Sequence, residues 1–145
     1  IDVMEKFPMV DTDKIIITGN HVGGVTAYYA SVFDERIKIS APSSAFCSYK
    51  DSILDISTTY CQSIPSAYLH FDMQDLAVLI APRKLVIVNG EKDEIFPIEG
   101  TKRGFETVKK IYEKAGAKEN CKLAITPKGH YWMPEIVWEE IKKFR

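Results

Sequence analysis

Short unbroken apolar runs alternate along this chain with stretches in which apolar residues return every three or four positions. Ile15-Ile16-Ile17-Thr18, Ile37-Lys38-Ile39-Ser40-Ala41, Lys84-Leu85-Val86-Ile87-Val88-Asn89-Gly90 and Cys121-Lys122-Leu123-Ala124-Ile125-Thr126 are short and rich in β-branched residues. They predict strands, and the runs without polar alternation predict strands covered on both faces. Val22 to Phe33 offers small and aromatic residues suited to a helix packed closely on a sheet. Asp72-Met73-Gln74-Asp75 predicts a cap for a short helix through Leu76, Leu79 and Ile80, stopped by Pro82. Thr101, Phe105, Val108, Ile111 and Tyr112 predict a helix that starts at Pro97 and stops at Gly116. Pro134 to Phe144 predicts a closing helix with Ile136, Val137, Ile141 and Phe144 inward. Strands separated by helices predict an α/β protein: three layers, α/β/α, around a parallel sheet of about four strands.

Two stretches depart from this alternation. Residues 1–10 carry Ile1, Val3 and Met4 before Phe7-Pro8, the pattern of an amphipathic helix tail stopped at proline, and Asp11-Thr12-Asp13-Lys14 reads as a polar turn. From Ser43 to Phe71 periodicity fails, with Ser, Thr and Tyr frequent and Pro65 inside. Such an excursion is either a lid or binding loop or a surface insertion with short helices. The organisation expected is one domain over 1–145 with a lid-like or cap-like insertion at 43–71.

With 145 residues, 46% hydrophobic and 11% aromatic, the chain has enough apolar material for one core. Nineteen basic against twenty acidic residues, without a basic run, speak against a nucleic-acid partner. No apolar run approaches the roughly 18 residues that span a bilayer, and the first residues lack the basic end and apolar centre of a signal peptide. The expectation is no membrane partner and a cytoplasmic location. Cys47, Cys61 and Cys121 are odd in number and widely spaced, so they predict free thiols, with neither a disulfide framework nor a zinc site.

Candidate chemistry gathers at the carboxyl ends of the strands. Gly19-Asn20-His21-Val22-Gly23 has the Gly-x-Ser-x-Gly spacing of a nucleophile elbow, with His21 where serine belongs. Asp93 follows the third strand and His130 the fourth, so the order is nucleophile position, acid, histidine. In a parallel sheet all of them share one edge. His130 can serve as general base, Asp93 can hold its ring in one tautomer, and the backbone N–H of Val22 can donate to an oxyanion. Each has a plain alternative: a surface histidine, a turn aspartate, a tight glycine turn. His70 is assigned to structure.

The chain resembles the acetyl xylan esterase and dienelactone hydrolase-like branch of the α/β-hydrolase superfamily, over the second half of that fold. The residues that carry the resemblance are Thr18 to Gly24, Asp34 to Lys38, Phe71 to Leu76, Ile80 to Asp93, Phe96-Pro97 and Lys128-Gly129-His130. It implies that Asp93 is the acid, His130 the base and His21 the replacement for the serine, so that no acyl-serine forms. It also implies that the earlier strands and a second oxyanion donor lie outside this sequence. The apolar strand Ile15 to Thr18 would then present an open edge. Either the chain is a piece of a longer polypeptide or a second chain completes the sheet; Ile1 as first residue favours the former.

Three functions follow as expectations. One is an esterase relative acting on small-molecule or carbohydrate esters, needing no cofactor and having little activity because of His21. Another is a non-catalytic binding or scaffold module. The third is a metal site formed by His21, His130 and Asp93.

Overall fold

The computed structural model describes residues 1–54 and 64–144. The four strands are β1 (Ile16–Asn20), β2 (Ile39–Ser43), β3 (Lys84–Gly90) and β4 (Cys121–Thr126). They form one parallel sheet in the order β1-β2-β3-β4. Ile16 lies opposite Ile39, Ile39 opposite Lys84 and Leu85 opposite Cys121. Leu85, Val86, Ile87 and Val88 are each 0% exposed, as an apolar run without alternation requires.

The helices are α1 (Val22–Phe33), α2 (Ala77–Ile80), α3 (Ile98–Lys114) and α4 (Pro134–Lys142). α1, α2 and α3 lie on one face, where Val25, Tyr28, Ile80, Phe105, Val108 and Tyr112 share a core with Leu85 and Ile87. α4 covers the other face, with Met133, Val137 and Ile141 against Ile39, Ala41, Val86 and Val88. The uneven split follows from strand order, because three crossovers that step the same way with the same hand fall on the same face. Among the described residues, β1 pairs only with β2, and no helix is long and apolar enough to cross a membrane.

Several local expectations need correction. β2 spans Ile39–Ser43, two residues later than predicted, with Pro42 inside it. Pairing with β3 runs at Ile39 and Ser40 and resumes in the same register at Ser43, skipping the position where Pro42 has no N–H to give. Gly90 ends β3 and also opens a turn, its carbonyl accepting from the Asp93 N–H at 3.3 Å. Residues 1–10 hold a single 3-10 turn, Met4–Lys6, without a buried residue, so no apolar face supports a longer helix.

Within 43–71, Ala45, Phe46, Cys47 and Tyr49 are buried in the α1-side core, so the start of this stretch belongs to the body of the fold. Lys50–Leu54 is a π-helical turn and Ala67–Leu69 a 3-10 turn; residues 55–63, Cys61 among them, lie outside the described residues. Cys47 is buried and Cys121 half-buried, and both are free. Asp72 and Asp75 form a reciprocal capping box at the start of the turn Met73–Leu76, which runs into α2.

Arg83 ties the sheet to this layer. Its guanidinium donates to the carbonyls of Asp34 (3.0 Å), Ile37 (2.9 Å), Ser31 (2.6 Å) and Leu79 (2.8 Å).

Candidate active site

The turn from β1 into α1 passes through His21 at φ 52°, ψ −121°. A positive φ at a side-chain-bearing residue costs on the order of 1–3 kcal/mol and persists only where the surroundings impose it. Here the His21 N–H donates to the Ser43 carbonyl at 3.1 Å, and the His21 carbonyl accepts from the Val25 N–H at 2.9 Å. Gly19 and Gly24 permit the approach: a Cβ on Gly19 would lie 2.4 Å from the Gly23 carbonyl carbon, and one on Gly24 would lie 2.6 Å from the Ala45 Cβ. The turn therefore projects the His21 side chain at the carboxyl edge of the sheet, and Val22 opens α1 directly behind it.

The acid and the histidine come from two loops joined to one another. Beyond β3 and β4, Glu91 N–H donates to the Thr126 carbonyl at 2.7 Å and Lys92 N–H to the Lys128 carbonyl at 3.0 Å. Gly90 lets the loops touch, since a Cβ there would lie 2.3 Å from the Gly129 oxygen. Asp93 is buried, and its Oδ1 accepts from the N–H groups of Ile95 and Phe96, both at 2.9 Å. The same carboxylate meets Nδ1 of His130 at 3.0 Å through Oδ2 and 3.1 Å through Oδ1. His130 is thereby held by its Nδ1 edge, with Nε2 directed away from the acid.

Sequence reasoning placed His21, Asp93 and His130 at one edge, and the structure brings them together. The His21 and His130 rings meet edge to face, with centroids 4.8 Å apart at 88°. It also reveals residues that the sequence reading did not assign to the site. Phe96 stacks on His130 at 5.8 Å and 15° and meets His21 edge on at 6.0 Å and 75°. Asn89, fully buried, donates through Nδ2 to the Phe96 carbonyl at 2.8 Å and to Thr101 Oγ1 at 3.1 Å, and Thr101 donates to the Phe46 carbonyl at 2.7 Å. The available signal was Asn89 itself, a polar residue closing an otherwise apolar strand.

Burial lowers the pKa of His21 below the usual histidine value; His130 adds to the effect and Asp93 opposes it. His21 is thus a neutral imidazole at neutral pH. His70 is exposed at the end of the turn Ala67–Leu69 and takes no part. The His21, His130 and Asp93 metal set is not formed, and no group of three His, Cys, Asp or Glu among the described residues could hold a metal ion. Asp93 is committed to Nδ1 of His130 and to two backbone amides, so the three side chains do not converge on one point.

No protein-family model matches the chain. A Bacillus subtilis (strain 168) protein named "Putative hydrolase YtaP" is 26% identical over 148 residues, covering 98% of this chain and 48% of that protein. The chain therefore spans about half the length of this curated relative. Similar solved structures include a glucuronoyl esterase from Solibacter usitatus, with TM-score 0.79 and 19% identity over 99% of this chain and 44% of that one. A carbohydrate esterase family 15 glucuronoyl esterase from Caldicellulosiruptor kristjansonii gives 0.72 and 23% over 95% and 43%. Methylesterase BT1017 gives 0.77 and 24% over 98% and 31%. By fold the chain is α/β-hydrolase-like, corresponding to the C-terminal half of that architecture, and its similarities are of an ester-hydrolase kind.

Proposed function

We propose that the chain carries a carboxylic-ester-hydrolase site of the kind that acts on small-molecule or carbohydrate esters, in which Asp93 and His130 form the acid–base pair and His21, replacing the usual serine, abolishes the reaction with carbohydrate and other alkyl esters. The backbone N–H of Val22 serves as an oxyanion donor. The observation that carries this reading is the strained backbone of His21 beside a histidine that a buried carboxylate holds by Nδ1. A histidine held in this way presents Nε2 for proton transfer. The names of the similar structures, glucuronoyl esterases and a methylesterase, support the ester class.

Because His21 has no hydroxyl, the reaction of a serine esterase on alkyl esters is absent. The H21S variant tests the arrangement. It is expected to bond covalently to a fluorophosphonate probe through the introduced hydroxyl, at least about a hundredfold faster than H21S/H130A, since a positioned base contributes that much or more. Equal rates in two variants that melt like the parent chain would contradict the assignment of His130 as base.

A further inference from the structure

We infer that His21 is itself an acyl acceptor, taking acyl groups on Nε2 from esters with weakly basic leaving groups, aryl esters and thioesters, and not from alkyl esters. The inference rests on the reading of His21 as the nucleophile position and adds the class of substrate. Nδ1 of His21 is buried, so Nε2 is the ring nitrogen that can meet an acyl donor. The ring meets both members of the stacked Phe96–His130 pair edge to face. It is also uncharged at neutral pH, and neutral imidazole is a nucleophile whereas imidazolium is not.

Two properties of an imidazole nucleophile restrict the donor. The first is the partition of the tetrahedral intermediate. Imidazole, with a conjugate acid near pKa 6.5, departs far more readily than an alkoxide, whose conjugate acid is near 16, so an alkyl ester collapses back to reactants. Phenolates near 10 and thiolates near 8.5 compete far better and allow the acyl group to stay. The second is reach. A histidine nitrogen stands farther from the backbone than a serine oxygen, so the developing oxyanion lies farther from the Val22 N–H and gains less from it. Only a donor that needs little such help reacts.

The Nε2 lone pair attacks the carbonyl carbon, the bond to the phenol or thiol leaving group breaks, and the leaving group departs as its anion. His21 keeps its Nδ1 proton and becomes an N-acylimidazolium. Water then attacks the acyl carbon while Nε2 of His130 takes a water proton; the C–N bond breaks, the carboxylic acid leaves, and His130 returns its proton to the leaving-group anion or to solvent. The sum is ester or thioester plus water giving acid plus phenol or thiol.

The test uses the whole chain with three acetyl donors: p-nitrophenyl acetate, S-phenyl thioacetate and ethyl acetate. The first two are expected to give an acetyl adduct that peptide mass spectrometry places on His21 and that hydroxylamine removes; ethyl acetate is expected to give none. In H21N the adduct and the accompanying p-nitrophenol release fall to background; asparagine, like histidine, is among the side-chain-bearing residues enriched at positive φ, and a melting temperature equal to that of the parent chain shows that the fold is kept. In H130Q acylation persists but adduct decay slows by on the order of a hundredfold. Adduct on lysine or the N-terminus, or H21N equal to the parent chain, overturns the inference. If H21S still labels with fluorophosphonate through His130, the hydrolase reading survives that failure; if neither occurs, both fall.

Discussion

Replacing Gly90 by alanine tests whether the two loops at the site form one unit. The added Cβ would stand 2.3 Å from the Gly129 oxygen and 2.4 Å from the Lys128 oxygen, both main-chain atoms that no rotamer change can remove. Restoring even 3.0 Å moves the His130 loop away from β3 by about 0.7 Å. Overpacking of this kind costs about 1–3 kcal/mol. The displacement acts directly on the 3.0 Å contact between Asp93 and His130, because Lys92 and Lys128 join the same loops next to it. A misplacement approaching 1 Å at reacting groups costs on the order of a hundredfold in rate. The G90A change placed in H21S should therefore lower the urea midpoint and slow fluorophosphonate labelling by tens to a hundredfold. A lowered midpoint with an unchanged labelling rate would refute the coupling of Gly90 to the acid–base pair.

Other outcomes follow from the same geometry. The R83M change removes four hydrogen bonds to carbonyls and should destabilise the chain by about 3 kcal/mol in urea unfolding, while leaving the relative labelling of H21S and H21S/H130A unchanged. Because folding lowers the pKa of His21, the unfolded chain binds more protons at and below the ordinary histidine pKa of about 6.5. This contribution is fully present above about pH 6.5 and is lost as pH falls through the folded pKa. The stability difference between the parent chain and H21N should shift in favour of the parent as pH rises through that window, and a difference independent of pH would contradict a His21 ring that folding holds neutral.

Much of the layout was legible in the sequence because it is local. Leu85 to Val88 is an apolar run that only a doubly covered strand can use, and the spacing of Phe105, Val108 and Tyr112 suits only a helix. The glycines around His21 gave the turn for the same reason. What was missed depends on distance in sequence. Nothing near Arg83 shows that its guanidinium caps carbonyls 46 to 52 residues away at Ile37, Asp34 and Ser31, and nothing near Phe46 shows that it accepts from Thr101. Nothing near Gly90 in the sequence shows that its lack of a side chain serves a contact with Gly129. Phe96 stood out only by resemblance, because its stacking on His130 becomes visible once Asp93 binds the amides beside it. The three-to-one division of helices between the faces also needed the strand order, which alternation alone does not give.

The account depends most on His130 being held through Nδ1 so that Nε2 is available beside His21. Nitrogen-15 NMR of the imidazole rings in the parent chain at neutral pH measures this directly. The prediction is a His130 ring with its proton on Nδ1, hydrogen-bonded to Asp93, and an unprotonated Nε2, with the tautomer preference lost in D93N. A His130 ring carrying its proton on Nε2, or one whose tautomer is indifferent to D93N, would contradict it.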